Sequence, residues 1–466
     1  MNKALNLILL SFLLTAVAAC GDSSSDAGGA GGTAGVGGAA GMGGMAGMGG
    51  EAGMGGEGGE GGEGGEGGAG GTAPKGNCHS SVPDLLSGWN LFADIRNQVP
   101  AEGVIPYTVT SPLFTDDALK FRFVTLTEGG ALTYSNDTAR WEGPVGTIYT
   151  KTFAYPPNLL DPESDGLDQL VETRLLVHVA AEDDRLGCGG AESCWQVHVY
   201  VYEEDMQDAV CQSGGAAVSV EYTDPLTEEQ HLVPDYGVPS NGACRRCHGT
   251  ETRSLGPSTG MLNRGNDYGG ELVENQIDQL FELGMLAPAP GPIAERVTYA
   301  DPKALTESCQ TPECYHEAAR SWFDANCAHC HAPDGEAAGT GIFLDYASMD
   351  PTDPTDQDFK KWGVCKVPTS AGGVKNCNGA TVDIVPGHPE QSITLCRIDS
   401  VTPGEMMAPL GRSLVDDTGY EVIAGWIETL PQMFPGIPKC AGMGGAGGMG
   451  GAGGMGGAGG MGGAGI

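Results

Sequence analysis

Two pentapeptides carry the most readable chemistry in this sequence, Cys244-Arg245-Arg246-Cys247-His248 and Cys327-Ala328-His329-Cys330-His331. Both match Cys-x-x-Cys-His. On a turn of helix, thiols three residues apart can each add to one vinyl group of a haem, and the histidine that follows then lies under the iron as proximal ligand. A thioredoxin-like dithiol needs no such histidine. A zinc site made from two Cys-x-x-Cys pairs would want them closer in the chain than the 80 residues from Cys247 to Cys327. The expected cofactors are therefore two covalently bound haem c groups, one held by Cys244, Cys247 and His248 and one by Cys327, Cys330 and His331.

What could close the opposite face of each iron differs between the motifs. After His331 come Ala332-Pro333-Asp334-Gly335, a long insertion with Cys365 and Cys377, and Pro386-Gly387-His388-Pro389. Met406-Met407-Ala408-Pro409-Leu410 and a last helical stretch, 418–430, complete the segment. The helix expected over 313–326 leads straight into the second motif. This order resembles a class I cytochrome c. The resemblance implies Met407 as distal ligand, with Met406 second and His388 as the other option, more at home in a surface turn. The first motif has little chain around it before the proline-rich stretch 287–292. Its candidates are Met261, our choice, then Met285, His231, His316 or no protein ligand.

Haem attachment of this kind takes place outside the cytoplasm, and the N-terminus agrees. One early cation, Lys3, is followed by an apolar run from Ala4 to Ala19, too short for a membrane span and ending in small residues, as a secretory signal does. Val17-Ala18-Ala19-Cys20 resembles a bacterial lipobox, which makes Cys20 the lipidated N-terminus of the mature chain and its membrane anchor. The plainer alternative is cleavage near Cys20 to a soluble periplasmic protein. Of 15 cysteines, ten remain beyond Cys20 and the haem thiols, an even number as an oxidising compartment favours. The close pairs Cys188/Cys194, Cys309/Cys314 and Cys365/Cys377 are the simplest disulfides to expect. The net charge is −37, which repels nucleic acid and anionic headgroups. It suits a basic redox partner, and equally an acidic exoprotein selected only for solubility.

Composition divides the chain. Residues 1–19 are the signal and 20–76 a Gly-rich tether, which by random-coil scaling spans roughly 40 Å. Residues 441–466 repeat Gly, Ala and Met without the proline a collagen-like helix needs. Residues 77–240 hold β-branched and aromatic runs such as Trp195–Tyr202, Leu175–Val179, Gly146–Phe153 and Ala217–Tyr222, broken by Gly, Pro and Asp. From 241 the period becomes helical, with Ile277, Leu280 and Phe281 on one face of an expected helix over 271–286 and Ile423, Trp426, Ile427 and Leu430 on another. The fold expected is α+β and multidomain: an antiparallel β-sandwich or barrel (77–240), a first haem-binding segment (241–300) and a mainly helical, cytochrome c-like second haem domain (301–440).

Over roughly residues 85–430 the chain also resembles a family of bacterial exported dihaem c-type cytochromes whose biochemical role is largely uncharacterised. The resemblance rests on the two haem motifs with Asn326 ahead of the second, on Leu86-Ser87-Gly88-Trp89-Asn90-Leu91-Phe92, and on Val109-Thr110-Ser111-Pro112-Leu113-Phe114-Thr115-Asp116-Asp117. Trp141-Glu142-Gly143-Pro144-Val145-Gly146-Thr147 and Met407-Ala408-Pro409-Leu410-Gly411-Arg412-Ser413-Leu414 complete it. It implies haem and export more firmly than a substrate, and an associated parallel β-helix exoprotein. The Gly-rich tracts and several cysteines are additions to its pattern. The functions expected are electron transfer outside the cytoplasm, with a dihaem peroxidase or oxidase as alternative. A third reading is a carbohydrate- or protein-binding β module coupled to redox haems, for which an exposed Trp141 or Trp195 would serve, although a buried core is the more expected place for both. No nucleophile–base set, P-loop or dinucleotide fingerprint is present.

Overall fold

The computed structural model describes residues 76–79, 81–181, 188, 191–249, 253–268, 273–304, 310–369, 377 and 379–440, all within one compact unit. The expected signal, Cys20, the tether and the C-terminal repeat lie outside these residues. Among the described residues no helix is long and apolar enough to cross a membrane.

The fold mixes α and β. Its centre is a six-stranded antiparallel sheet of β1 (Ile105–Pro106), β2 (Leu119–Thr125), β3 (Ile148–Tyr155), β4 (Gln169–Ala180), β5 (Ser193–Tyr202) and β6 (Ala209–Cys211), in spatial order β1-β2-β3-β4-β5-β6. The sheet is open, with β1 and β6 at its edges, so the expected barrel is not formed. A separate hairpin of β7 (Ala216–Thr223) and β8 (Gln230–Val238) lies over part of one face. Both faces of the sheet are covered, so hydrophobic and polar residues do not alternate cleanly along the strands.

One face packs Phe123, Ala154, Leu175, Val177, Tyr200 and Ala209 against Leu86 and Leu91, closed at its edge by the Cys78–Cys211 disulfide. The opposite face carries two cores. The hairpin's Val220, Tyr222, Val233 and Tyr236 cover Phe153, Tyr155 and Val199 at one end. At the other end Leu262, Ile277, Leu280 and Leu286 cover Val124, Tyr149 and Trp195. The chain that carries the first motif is therefore built into the sheet's own core. Trp141 and Trp195 belong to it, at 0 % and 8 % exposure. Neither is available as a surface aromatic for the binding-module reading.

Seven α-helices are formed among the described residues: α1 (Asn241–His248), α2 (Thr259–Leu262), α3 (Gln276–Glu282), α4 (Pro312–Asn326), α5 (Asp356–Lys361), α6 (Ile393–Asp399) and α7 (Asp417–Met433). The helix expected over 271–286 shrinks to α3, because Val273–Asn275 pairs as a strand with Gly265–Asp267 and Leu283 ends the helix. Thr311 caps α4 through its hydroxyl and Pro312 opens it, as a helix start should. The stripe Ile423, Trp426, Ile427 and Leu430 is wholly buried on α7 and packs on Ala318, Ala319, Trp322 and Phe323 of α4. Phe323 and Trp426 meet edge to face at 5.4 Å.

Cys188 pairs with Cys194 as expected. The Cys365/Cys377 pair does not form: Cys365 bonds Cys440 and Cys377 bonds Cys396. Cys440 lies beside Ile384, whose carbonyl accepts the Cys365 N–H, so Cys440 reaches Cys365 although 75 residues away. The Cys309/Cys314 pair involves Cys309, outside the described residues.

Candidate haem-attachment site

The first motif is a helix in its own right. Ser240 caps α1 by accepting the Ala243 N–H at 3.2 Å, and Gly249 stops it at φ +80°, where a side chain would be strained. α1 packs on β5 with Cys244 buried, while Cys247 and His248 are half-buried. His248 Nδ1 lies 2.8 Å from the Arg253 carbonyl, an acceptor, so Nδ1 carries the proton and Nε2 is left as a lone-pair donor. Burial pushes the His248 imidazole down to about 4, and the charges of Lys151, His329 and Arg174 push the same way. It is neutral at physiological pH, as a metal ligand must be.

The second motif continues α4. Asn326 at its last turn accepts the Phe114 N–H through Oδ1 at 2.7 Å, and Cys327–His331 forms one more helical turn in which the His331 N–H reaches the Cys327 carbonyl at 2.8 Å. His331 is held below its ordinary range, chiefly by burial. Its Nδ1 is buried and makes no hydrogen bond of good geometry. Gly335 runs so close behind the motif that an added Cβ would overlap the Cys330 backbone carbonyl. Gly335→Ala should cost about 1–3 kcal/mol of stability by overpacking and displace Cys330. Urea unfolding, together with the share of molecules modified at the second motif in intact-mass spectra, measures both effects.

The two motifs meet in space. Ligand atoms of Cys247, His329 and Cys330 lie within 4.8 Å of one another, and the Cys330 thiol points at the Arg246 carbonyl at 3.5 Å. Arg246 faces Glu336 at 3.6 Å, and Arg253 is paired with Asp334. Both pairs are solvent-exposed and individually weak, so they orient the contact more than they stabilise it. The Cys330 thiol is held well below the ordinary thiol range by a hydrogen bond from Cys247, with His329 and His331 adding to it, while Cys247 is raised in turn. The 80-residue spacing thus does not keep the cysteine pairs apart. Even so, the cluster brings together three donors and excludes Cys244, Cys327, His248 and His331, whereas a structural zinc site uses four.

The donor set fits two covalent haems. Cys244, Cys247, Cys327 and Cys330 are free thiols, while every other described cysteine is in a disulfide. His248 keeps Nε2 available, and His331 is packed with an orphaned Nδ1.

Met407 lies half-buried in a loop beside the second motif. Its N–H donates to the Arg397 carbonyl at 2.9 Å. Its carbonyl accepts from Arg412 Nη2 at 3.0 Å, and the same guanidinium reaches the carbonyls of Ile398, Ser400 and Leu414 at 3.1, 2.7 and 2.8 Å. The charge of Arg412 acts on Cys327, and that of Arg397 on His331. Asp116, at the end of the Val109–Asp117 segment, secures the far side of the loop. It accepts the N–H groups of Ser413 and Leu414 at 2.7 and 2.8 Å and the Ser413 hydroxyl at 2.9 Å. The positioning roles of Asp116, Asn326 and Arg412 were missed from sequence. Their only signal there is that all three fall in segments that carried the family resemblance.

Met261, on α2, packs with the sheet core, its thioether 3.9 Å from Arg140 Nη1. Arg140 in turn pairs with Asp324 of α4 at 2.8 Å. Met285 belongs to the same core. His231 is stacked on Tyr222, and His388 sits exposed in a turn beside Glu390. His316 is excluded as a haem ligand because both of its nitrogens are engaged. Nδ1 accepts the Trp426 indole N–H at 3.0 Å, so Nε2 donates to the Met349 carbonyl at 3.0 Å.

His316 is fully buried, and burial depresses it to about 4. The unfolded chain binds that proton near pH 6.5. The stability due to neutral His316 is therefore complete above about pH 6.5 and declines as pH falls toward 4, on the order of 3 kcal/mol in all. Urea midpoints between pH 7 and 4 should fall less steeply in His316→Gln than in the parent.

Comparison of the chain with known protein families, with curated proteins and with solved structures returned no match.

Proposed function

We propose that this chain is an exported c-type cytochrome with two covalent haems, and that it moves electrons outside the cytoplasm. The observation that carries the reading is the meeting of its two Cys-x-x-Cys-His motifs, 80 residues apart in sequence and side by side in space. Haem supplies reversible one-electron chemistry, and methionine ligation raises its potential. The chain's own residues attach, orient and screen. Cys244 and Cys247, with Cys327 and Cys330, supply the thioether sulfurs. His248 and His331 supply proximal nitrogens whose protonation burial disfavours. Met407 offers a sulfur from a loop clamped by Arg412 and Asp116, and the packing of α4 against α7 supports reading the second segment as a class I cytochrome c-like unit. Met261 is the proposed sixth ligand at the first motif. Two attachment points in contact suit fast exchange between two redox centres, with a basic protein as outside partner for a chain of charge −37.

A spectroelectrochemical titration of the matured protein tests this directly. Two reversible one-electron couples, with no peroxide-dependent oxidation of a reduced dye, are the expected result. Peroxide turnover with one high-spin haem would make the protein a dihaem peroxidase instead. The proposed anchor has its own test: Cys20→Ala should move the folded protein from the membrane fraction to the soluble one, and a variant that stays with membranes refutes lipidation.

A further inference from the structure

A row of cations crosses the sheet where the first motif rests on it. Arg122 of β2, Lys151 of β3 and Arg174 of β4 are direct cross-strand partners, so three like charges stand side by side on one face. Lys120 joins them one step along β2, opposite Phe153. Like charges in this arrangement oppose sheet formation, and a desolvated cation without a partner is costly. Among the described residues one ion pair offsets them: Arg174 pairs with Glu172, which also accepts from the Tyr236 hydroxyl at 2.6 Å. Lys120 and Arg122 donate to backbone carbonyls, of Ala118 at 2.8 Å and Lys120 at 3.2 Å, and the Lys120 and Lys151 ammonium groups lie 5.9 and 5.1 Å from the centre of the Phe153 ring.

None of the four is a surface cation. They sit between the sheet's two cores, and burial lowers both lysines, Lys120 to about 7 and Lys151 well below its ordinary value. Each nonetheless keeps some accessible surface. The other charged or titratable groups acting on the cluster are Asp117, Lys303, Tyr107, Cys244 and His248. In a chain with 60 acidic residues, a row of four cations with one ion-paired carboxylate, Glu172 on Arg174, among the described residues is a specific feature.

The first motif packs on the adjoining strand: α1 rests on β5, whose Val199 is the direct cross-strand partner of Arg174. We propose that this sheet face is the other half of the first haem's pocket, with Lys120, Arg122, Lys151 and Arg174 binding the haem's two carboxylates. The inference rests on the dihaem reading and gives the β-rich region a role: it completes a pocket that the short stretch after Cys244 cannot enclose alone. Cations near the porphyrin disfavour the more positive ferric state, so the cluster also raises that haem's potential.

The test uses the full-length, matured protein, with Lys120→Gln and Lys151→Gln as separate single substitutions and Lys151→Arg as the charge-conserving control. Each is examined by intact mass and by redox titration, with and without added inorganic phosphate. The proposal expects two haems in every variant. One of the two midpoints should fall in each Gln variant, the other staying at the parent value, with Lys151→Arg restoring it and phosphate having no effect. Unchanged midpoints in both Gln variants overturn it. So does a phosphate-dependent shift in the parent that is lost in the variants, because the cluster would then take a free anion. Parent protein lacking haem at the first motif overturns both this proposal and the dihaem reading. Two haems with unmoved midpoints overturn the proposal alone.

Discussion

Met407→His should lower the potential of the haem held by His331 by a sizeable part of the roughly 0.8 V range that axial ligands command, and keep it low-spin. A thioether favours ferrous iron, while imidazole, the stronger donor, favours ferric. Met407→Ala should instead leave an open or water-filled position and a high-spin spectrum. The loop has the rigidity a ligand needs: Met407 is fixed at its N–H by the Arg397 carbonyl and at its own carbonyl by Arg412. Met406 shares the loop and is the control. Spectra and redox titrations of Met406→Ala, Met407→Ala and Met407→His decide the register. Loss of methionine ligation in Met406→Ala alone moves the assignment by one residue. No effect from any of the three sends it to His388.

Asp116→Ala should destabilise the protein by about 2–4 kcal/mol, since it strips the partners from two part-buried backbone N–H groups and a hydroxyl at once. The residue has φ +46°, a left-handed conformation that alanine tolerates poorly and asparagine accepts. Asp116→Asn keeps that conformation and one acceptor oxygen, and should lose less than half as much. Because Ser413 and Leu414 adjoin the Arg412 clamp, the alanine variant should also weaken methionine ligation, while asparagine largely preserves it. Urea unfolding and the absorption band of methionine-ligated ferric haem measure the two effects together. Equal stability of Asp116→Ala and the parent would remove Asp116 from the positioning role.

The residues of this candidate site were legible where chemistry fixes local spacing. Cys-x-x-Cys-His needs only one helical turn, and the helices expected over 313–326 and 418–430 form over Pro312–Asn326 and Asp417–Met433, the second signalled by its Ile423–Leu430 stripe. Long-range geometry was hidden. Nothing local tells Cys365 to prefer Cys440 over Cys377, because the choice depends on the segment carrying Cys440 returning to Ile384. The open sheet was read as a sandwich or barrel because helices α2 and α3, not further strands, bury Tyr149 and Trp195. The cation row was equally invisible, since Arg122, Lys151 and Arg174 become neighbours only once the strand register is known. His316 looked like a ligand until both nitrogens were seen to be spent on Trp426 and Met349.

Denaturing intact-mass spectrometry of the full chain, made alongside haem-maturation machinery, tests the central proposal most directly. Wild-type protein should carry the mass of two haems through denaturation. The double substitutions Cys244→Ala/Cys247→Ala and Cys327→Ala/Cys330→Ala should each carry one. A wild-type mass with no haem, accompanied under native conditions by a single metal ion lost on Cys247→Ala or Cys330→Ala, would contradict the account and assign the meeting point of the two motifs to metal binding.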